Sequence, residues 1–174
     1  MSQFLLNVIF VIYVIAGVGL VAYGFNCYAS IYLFLKNSRR VRLTDRKNIL
    51  KFYREHSLDE LPVVTTQLPV FNEANCVERL IEAVCAMDYP KDKHEIQVLD
   101  DSTDECYEVT KRKVAEMQAR GYDIKLIHRT IRKEYKAGAS KEGMVVARGN
   151  FRAIFAADFV PDIVFLLNTI PYMV

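Results

Sequence analysis

The sequence predicts an α/β protein in which one N-terminal transmembrane helix precedes a domain built on a mainly parallel sheet. Three observations carry that prediction. Residues 1–35 contain no Asp, Glu, Lys or Arg. From about residue 61, short apolar or β-branched runs alternate with longer stretches of helical period, the pattern of strand–helix–strand units with right-handed crossovers. Two of the short runs end in acidic residues, Val98-Leu-Asp-Asp101 and Phe155-Ala-Ala-Asp158. Carboxylates at strand ends fall on the sheet edge where open α/β folds take ligands.

The elements follow in chain order. A membrane-spanning helix needs about 20 apolar residues, and residues 4–23 supply them. A cleaved signal peptide, for which Ala29-Ser30 would be the cleavage site, fits less well, because its apolar core runs only about 7 to 15 residues behind a basic segment and this N-terminus has no basic residue. Asn7 and Asn26 stand toward the ends of the apolar run, and Tyr28, Tyr32 and Phe34 suit the interfacial aromatic belt. Lys36, Arg39, Arg40, Arg42, Arg46 and Lys47 follow at once, against a single Asp45. By the positive-inside rule the globular part is then cytoplasmic, and the basic run is drawn to anionic lipid headgroups. The expected boundaries are a transmembrane helix over 1–36, a basic juxtamembrane linker over 37–61 and a globular part over 62–174, with 50–61 a short linker or interfacial helix.

Residues 63–70 read as a buried strand, with Asn72 as the cap of a helix over 74–87 that Tyr89-Pro90 stops. A strand over 95–100, a helix over 104–120 broken at Gly121, and a strand over 123–128 come next. A third helix over 136–147, a turn at Gly149-Asn150, a strand over 151–156 and a helix over 161–172 complete the sequence.

Composition narrows the functional classes. The net charge is only +2 and the basic residues cluster beside the apolar segment, which excludes a nucleic-acid-binding surface. The four cysteines, Cys27, Cys76, Cys85 and Cys106, show neither Cys-x-x-Cys pairs nor metal spacing with the three His residues, so they are expected as free thiols.

Taken alone, Asp100, Asp101 or Asp158 is a turn residue or helix cap. Taken with Lys136, in the run Tyr135-Lys-Ala-Gly-Ala-Ser-Lys-Glu-Gly-Met144 between the two acidic strand ends, the set suits a nucleoside diphosphate and its metal. Lys offers a point charge for phosphate oxygens, and a cation at the start of a helix is otherwise unfavourable. Mg²⁺ binds through one or two carboxylates together with substrate phosphates. Gly138 and Gly143 allow close backbone approach or serve local packing.

Four segments in order, Gln67-Leu-Pro-Val-Phe-Asn-Glu73, Val98-Leu-Asp-Asp-Ser-Thr-Asp104, the lysine run above and Ala153-Ile-Phe-Ala-Ala-Asp-Phe-Val-Pro161, together resemble the family 2 glycosyltransferases of the GT-A fold. The cellulose-synthase-like and mannan-synthase-like membrane branches fit best. The resemblance implies the nucleotide-binding half of a GT-A (Rossmann-like) domain using a UDP- or GDP-sugar donor and a glycan or lipid acceptor. It also implies the site residues: Asp101 on the donor's base or ribose, Glu73 close to the same pocket, Lys136 facing the diphosphate, and Asp158 as ligand to Mg²⁺ or Mn²⁺. The family's metal motif is Asp-x-Asp, and Ala156 stands where the first Asp would be, which weakens the metal site. Asp162 is near enough to be weighed as a substitute ligand but reads better as a helix cap. The family's catalytic acid and its Gln-x-x-Arg-Trp segment lie beyond residue 174, and there is no Trp in the chain. The expectation is therefore an N-terminal fragment that binds donor but transfers no sugar. The competing expectation is a non-catalytic, membrane-anchored interaction or signalling module with a receiver-like α/β domain. Receivers place their acidic pair after the first strand, whereas here it follows the second. A dinucleotide reductase is excluded, since no Gly-x-Gly-x-x-Gly follows a strand.

Overall fold

The computed structural model describes residues 3–174, in two compact units divided between Leu50 and Lys51. The described residues of the first unit all belong to α1 (Gln3–Glu55). None of this helix is buried, and its mean hydropathy reaches 2.7 in its most apolar window. It is the one helix among the described residues long and apolar enough to cross a membrane, by length and composition. The stretch 37–55, expected as linker, continues this helix without a break, because residues 37–55 include no Gly or Pro to stop it.

The second unit contains β1 (Val64–Val70), α2 (Ala74–Cys85), β2 (His94–Asp100), α3 (Cys106–Ala119), β3 (Asp123–His128), α4 (Tyr135–Val146), β4 (Phe151–Ile154) and the short α5 (Phe165–Thr169). All strand pairs are parallel, and the sheet order is β3-β2-β1-β4. This is the expected α/β architecture. In the doubly wound fold of receivers β1 lies between β2 and β3; here it lies between β2 and β4, and the receiver-like alternative fails on topology.

Strand alternation sorts the two faces. Val64, Leu68 and Val70 of β1 and Ile96 and Val98 of β2 join Val77, Leu80, Ile81 and Val84 of α2 and Val114 and Met117 of α3 in the apolar core. The opposite face carries Thr65, Gln67, Glu95 and Gln97, all fully buried, where a helix-covered parallel sheet ordinarily shows continuous apolar residues. Helix α4 covers this polar face and needs glycine to do so. A Cβ on Gly143 would stand 2.7 Å from Gln67 Nε2 and 2.8 Å from Gln97 Oε1.

Glu95 is the centre of the polar layer. It accepts hydrogen bonds from Thr65 Oγ1 (2.7 Å), Lys125 Nζ (2.9 Å) and Arg148 N (2.7 Å). Burial alone would raise its pKa, but the Arg148, Lys125 and Thr65 donors outweigh that and hold the carboxyl below its ordinary range.

The four cysteines are free. Burial pushes the Cys85 thiol up to about 11, which makes it a packing residue rather than a reactive one.

Candidate functional site

The strand order reverses between β1 and β4: α2 and α3 carry the chain outward on one face, and α4 returns it on the other to the far side of β1. Open α/β sheets bind ligands outside the carboxyl ends of the strands at such a switch point. A proline helps to end the β1–β4 pairing early. Gln67 O accepts the N–H of Phe155, so Gln67 and, two residues on, Pro69 turn their main-chain groups toward β4. Proline has no N–H to extend the ladder, and the β1–β4 register ends at Gln67↔Ile154 while β1–β2 runs on to Val70↔Asp100.

The loops leaving the strands are tied to one another. Asp101 N donates to Val70 O and Arg129 N to Asp100 O. Asn72 N donates to Ser102 Oγ at 2.9 Å, and Asn72 Oδ1 accepts from Thr103 N at 3.0 Å. Asn72 thus bridges two loops instead of capping the helix as expected, and Glu73 occupies the N-cap position of α2. Glu73 is half-buried at the carboxyl end of β1, beside the loop that begins with Asp101. Asp158 follows β4 by four residues and is exposed. Lys136, in the first turn of α4, is also exposed and has no ion pair or hydrogen bond among the described residues. Asp162 accepts from Val164 N at 3.2 Å in the turn before α5, whose N-cap position is held by Val164, so it is not the helix cap expected of it.

Asp101 differs from the other three in being held on both oxygens. Its carboxylate is 5% exposed and takes a two-pronged pair from Arg129, with Nε at 2.7 Å and Nη2 at 2.6 Å. The Asp101 hydrogen bonds, with attraction to Asp101 and Glu142, raise the Arg129 pKa further above its already high ordinary value, against the opposing effect of burial. Arg132 lies beside the pair, its Nε 3.9 Å from Asp101 Oδ2. The Arg132 guanidinium lies 3.4 Å from the Phe71 ring centroid and 5.0 Å from that of Tyr135, two cation–π contacts. Its buried Nε has no hydrogen-bond acceptor among the described residues. Neither arginine figured in the expected site. The signal available was Arg129-x-x-Arg132 immediately after a strand, facing the acidic end of the neighbouring strand.

Beside this cluster Ser102, Asp104, Tyr107 and His128 help line a cleft of about 330 Å³. Tyr107 packs on the His128 ring at 4.3 Å, and His128 Nδ1 lies 3.1 Å from Asp100 Oδ2. No group of three or more His, Cys, Asp or Glu side chains able to hold a metal exists among the described residues.

The fold is an α/β domain whose parallel sheet reverses its strand order between β1 and β4, with Asp101, Arg129 and Arg132 clustered at its carboxyl edge. Residues 67–174 match the sequence profile of glycosyl transferase family 2, and the chain belongs to that family. It is 39% identical over 154 residues to glucomannan 4-beta-mannosyltransferase 1 of Cyamopsis tetragonoloba, covering 83% of this chain and 28% of the relative. It is 46% identical over 117 residues to glucomannan 4-beta-mannosyltransferase 1 of Oryza sativa subsp. japonica, covering 65% of this chain and 22% of the relative. The chain thus spans about a quarter of the length of these curated relatives. Among solved structures, mannosyltransferase PcManGT from Pyrobaculum calidifontis, in complex with GDP-Man and Mn²⁺, superimposes with a TM-score of 0.59 at 26% identity, covering 77% of this chain and 42% of that one. Residues 1–349 of S. aureus TarS share the fold, with a TM-score of 0.52 at 19% identity, covering 60% of this chain and 30% of that one.

Proposed function

We propose that the sheet edge at the β1–β4 switch binds a GDP-sugar, GDP-mannose first, as the donor-binding portion of a membrane-anchored β-mannan-synthase-type glycosyltransferase. The observation that supports it most is the tie of Asp101 through Arg129 to Tyr135 O, which brings the turn before Lys136 to the acidic end of β2. The mannosyltransferase relatives and the GDP-Man complex of PcManGT favour guanosine over uridine.

In this reading the Phe71 and Asp101 region receives the nucleoside and Lys136 neutralises the diphosphate as it departs. A charged donor on a phosphate oxygen strengthens as negative charge develops there. Asp158 is the carboxylate that follows β4 most closely, since Ala156 contributes no oxygen. One carboxylate with substrate phosphates is a donor set that Mg²⁺ or Mn²⁺ accepts, so the residues fit an ion carried in with the nucleotide better than a resident one. Such an ion would supply Lewis-acid stabilisation of the leaving diphosphate. No residue of this chain is assigned the acceptor's proton.

Calorimetric titration of the detergent-solubilised chain with GDP and UDP, with and without Mn²⁺, tests the reading. Lys136→Ala should weaken GDP binding by about 1.5–3 kcal/mol, the range for a charged hydrogen bond, and Asp158→Ala should abolish the Mn²⁺-dependent part alone. Failure of the parent chain to bind either nucleotide would refute the donor site.

For the membrane, α1 spans the bilayer and the basic run after residue 35 keeps the globular unit cytoplasmic, touching anionic lipid. Cys106 and Cys85 are buried, so topology is best read from a cysteine placed at exposed Lys141. In a Cys27→Ser, Cys76→Ser background, Lys141→Cys should react with an impermeant maleimide only after cells are permeabilised. Labelling in intact cells would reverse the orientation.

A further inference from the structure

The described residues include three non-glycine positions with positive φ: Asn72 (53°), Glu134 (61°) and Tyr135 (49°). Asn72 lies in the loop after β1, Glu134 at the N-cap and Tyr135 at the first residue of α4, so two of them directly precede Lys136. Left-handed backbone is disfavoured for L-residues. It persists where the surroundings over-determine it, and such positions cluster at functional sites.

Arg129 supplies the over-determination. Its Nη1 donates to Lys133 O at 3.3 Å and its Nη2 to Tyr135 O at 3.0 Å, carbonyls that bracket the strained pair. Its Nε and Nη2 hold Asp101 at 2.7 and 2.6 Å, and Nη1 reaches Glu142 Oε1 of α4 at 3.4 Å. Gly138 lets the turn fold back on the helix start, for a Cβ there would lie 2.1 Å from Lys133 O and 2.9 Å from Arg129 Nη1. A buried ion pair adds little stability over a well-packed apolar replacement. What the planar guanidinium gives, and lysine does not, is several donors in fixed directions.

We propose that Arg129 is a positioning residue of the donor site: it latches the strained 133–135 turn to Asp101 and so aims Lys136 and Arg132 at the diphosphate. The inference rests on the donor-site reading above, and its test separates the two. Hydrogen exchange and GDP titration with Mn²⁺ are run on the full chain, on Arg129→Gln, and on Arg129→Lys, which keeps the charge but not the fork. In Arg129→Gln the amides at the start of α4, including Gly138 N on Glu134 O, should exchange faster while those of β1 and β2 do not. GDP affinity should fall about tenfold or more, the loss expected when charged hydrogen bonds at a site go. Lys136→Ala should add almost nothing in the Arg129→Gln background, although it weakens the parent. Arg129→Lys should keep the sheet's protection yet recover only part of the affinity. Unchanged affinity, an undiminished Lys136→Ala effect in the variant, or faster exchange throughout the sheet would overturn the positioning role while leaving the donor site standing. A parent chain with a protected turn that binds neither GDP nor UDP would overturn the donor-site reading and this inference with it.

Discussion

Glu95→Ala is expected to cost about 3–5 kcal/mol of folding stability, the largest effect of any polar substitution in the second unit. The carboxylate is fully buried and takes donors from Thr65, Lys125 and Arg148. Removing it leaves the Thr65 hydroxyl and the Arg148 N–H without their acceptor at about 1–3 kcal/mol each, and opens a void under α4. Lys125 is 44% exposed in its side chain and turns to water, so its lost pairing adds little. Glu95→Gln keeps the volume and an acceptor for Thr65 and Arg148, and should cost less than half as much. Urea unfolding of the detergent-solubilised chain, followed by circular dichroism, measures both. Equal losses for Ala and Gln would show that charge, not hydrogen-bond acceptance, is what the layer needs.

That polar layer marks where sequence reasoning stops. The strand pattern was legible because buried parallel strands are short, β-branched and bounded by turn residues: 123–128 is observed as expected, and 63–70 begins one residue later at Val64. The ends of α3 and α4 shift by one or two residues. The final helix is shorter than 161–172, with Phe165–Thr169 α-helical and Ile170–Tyr172 a 3-10 turn. What periodicity does not report is what lies across the sheet. Burial of 63–70 is expected from its pattern, but that pattern does not say that Thr65, Gln67, Glu95 and Gln97 share one face or that the small residues of α4 seal them in.

The candidate site divides in the same way. The placement of Glu73, Asp101 and Asp158 beyond the carboxyl ends of β1, β2 and β4 was legible, because the alternation of strands and helices itself locates the edge. Lys136 was legible from the mismatch of a cation with a helix start. Arg129 was not, because its partner Asp101 is 28 residues away and local pattern carries no pairing information. The positive φ of Glu134 and Tyr135 was equally hidden: neither residue type signals a left-handed turn. Asn72, which does favour that conformation, was read as a helix cap, since both roles suit a short amide side chain.

Stability should fall as the pH drops from about 6.5 to 4, by about 3 kcal/mol in total, and His94 should account for most of it. The His94 ring is 5% exposed, lies 2.9 Å from Thr66 Oγ1 through Nε2, and meets the Tyr89 ring edge-on at 6.2 Å. Burial, only partly opposed by Asp123, pushes its pKa down to about 4, against about 6.5 in an unfolded chain. The sign follows from proton uptake. Between these values the unfolded chain holds a proton that the folded chain refuses, so acidification favours unfolding. The contribution is intact above pH 6.5, declines through the window, and is gone below the folded value. At about 1.36 kcal/mol per pKa unit the depression amounts to roughly 3 kcal/mol. The acidic side chains act lower on the scale: Glu95, held below the ordinary carboxylate range, loses its contribution only as its own carboxyl protonates. His94→Gln keeps a hydrogen-bonding amide near Thr66 and removes the titration. Urea midpoints between pH 7 and 4.5 should therefore drop steeply for the parent and stay nearly level for His94→Gln, whatever the variant costs at neutral pH. Parallel profiles would mean that the acid sensitivity arises elsewhere in the fold.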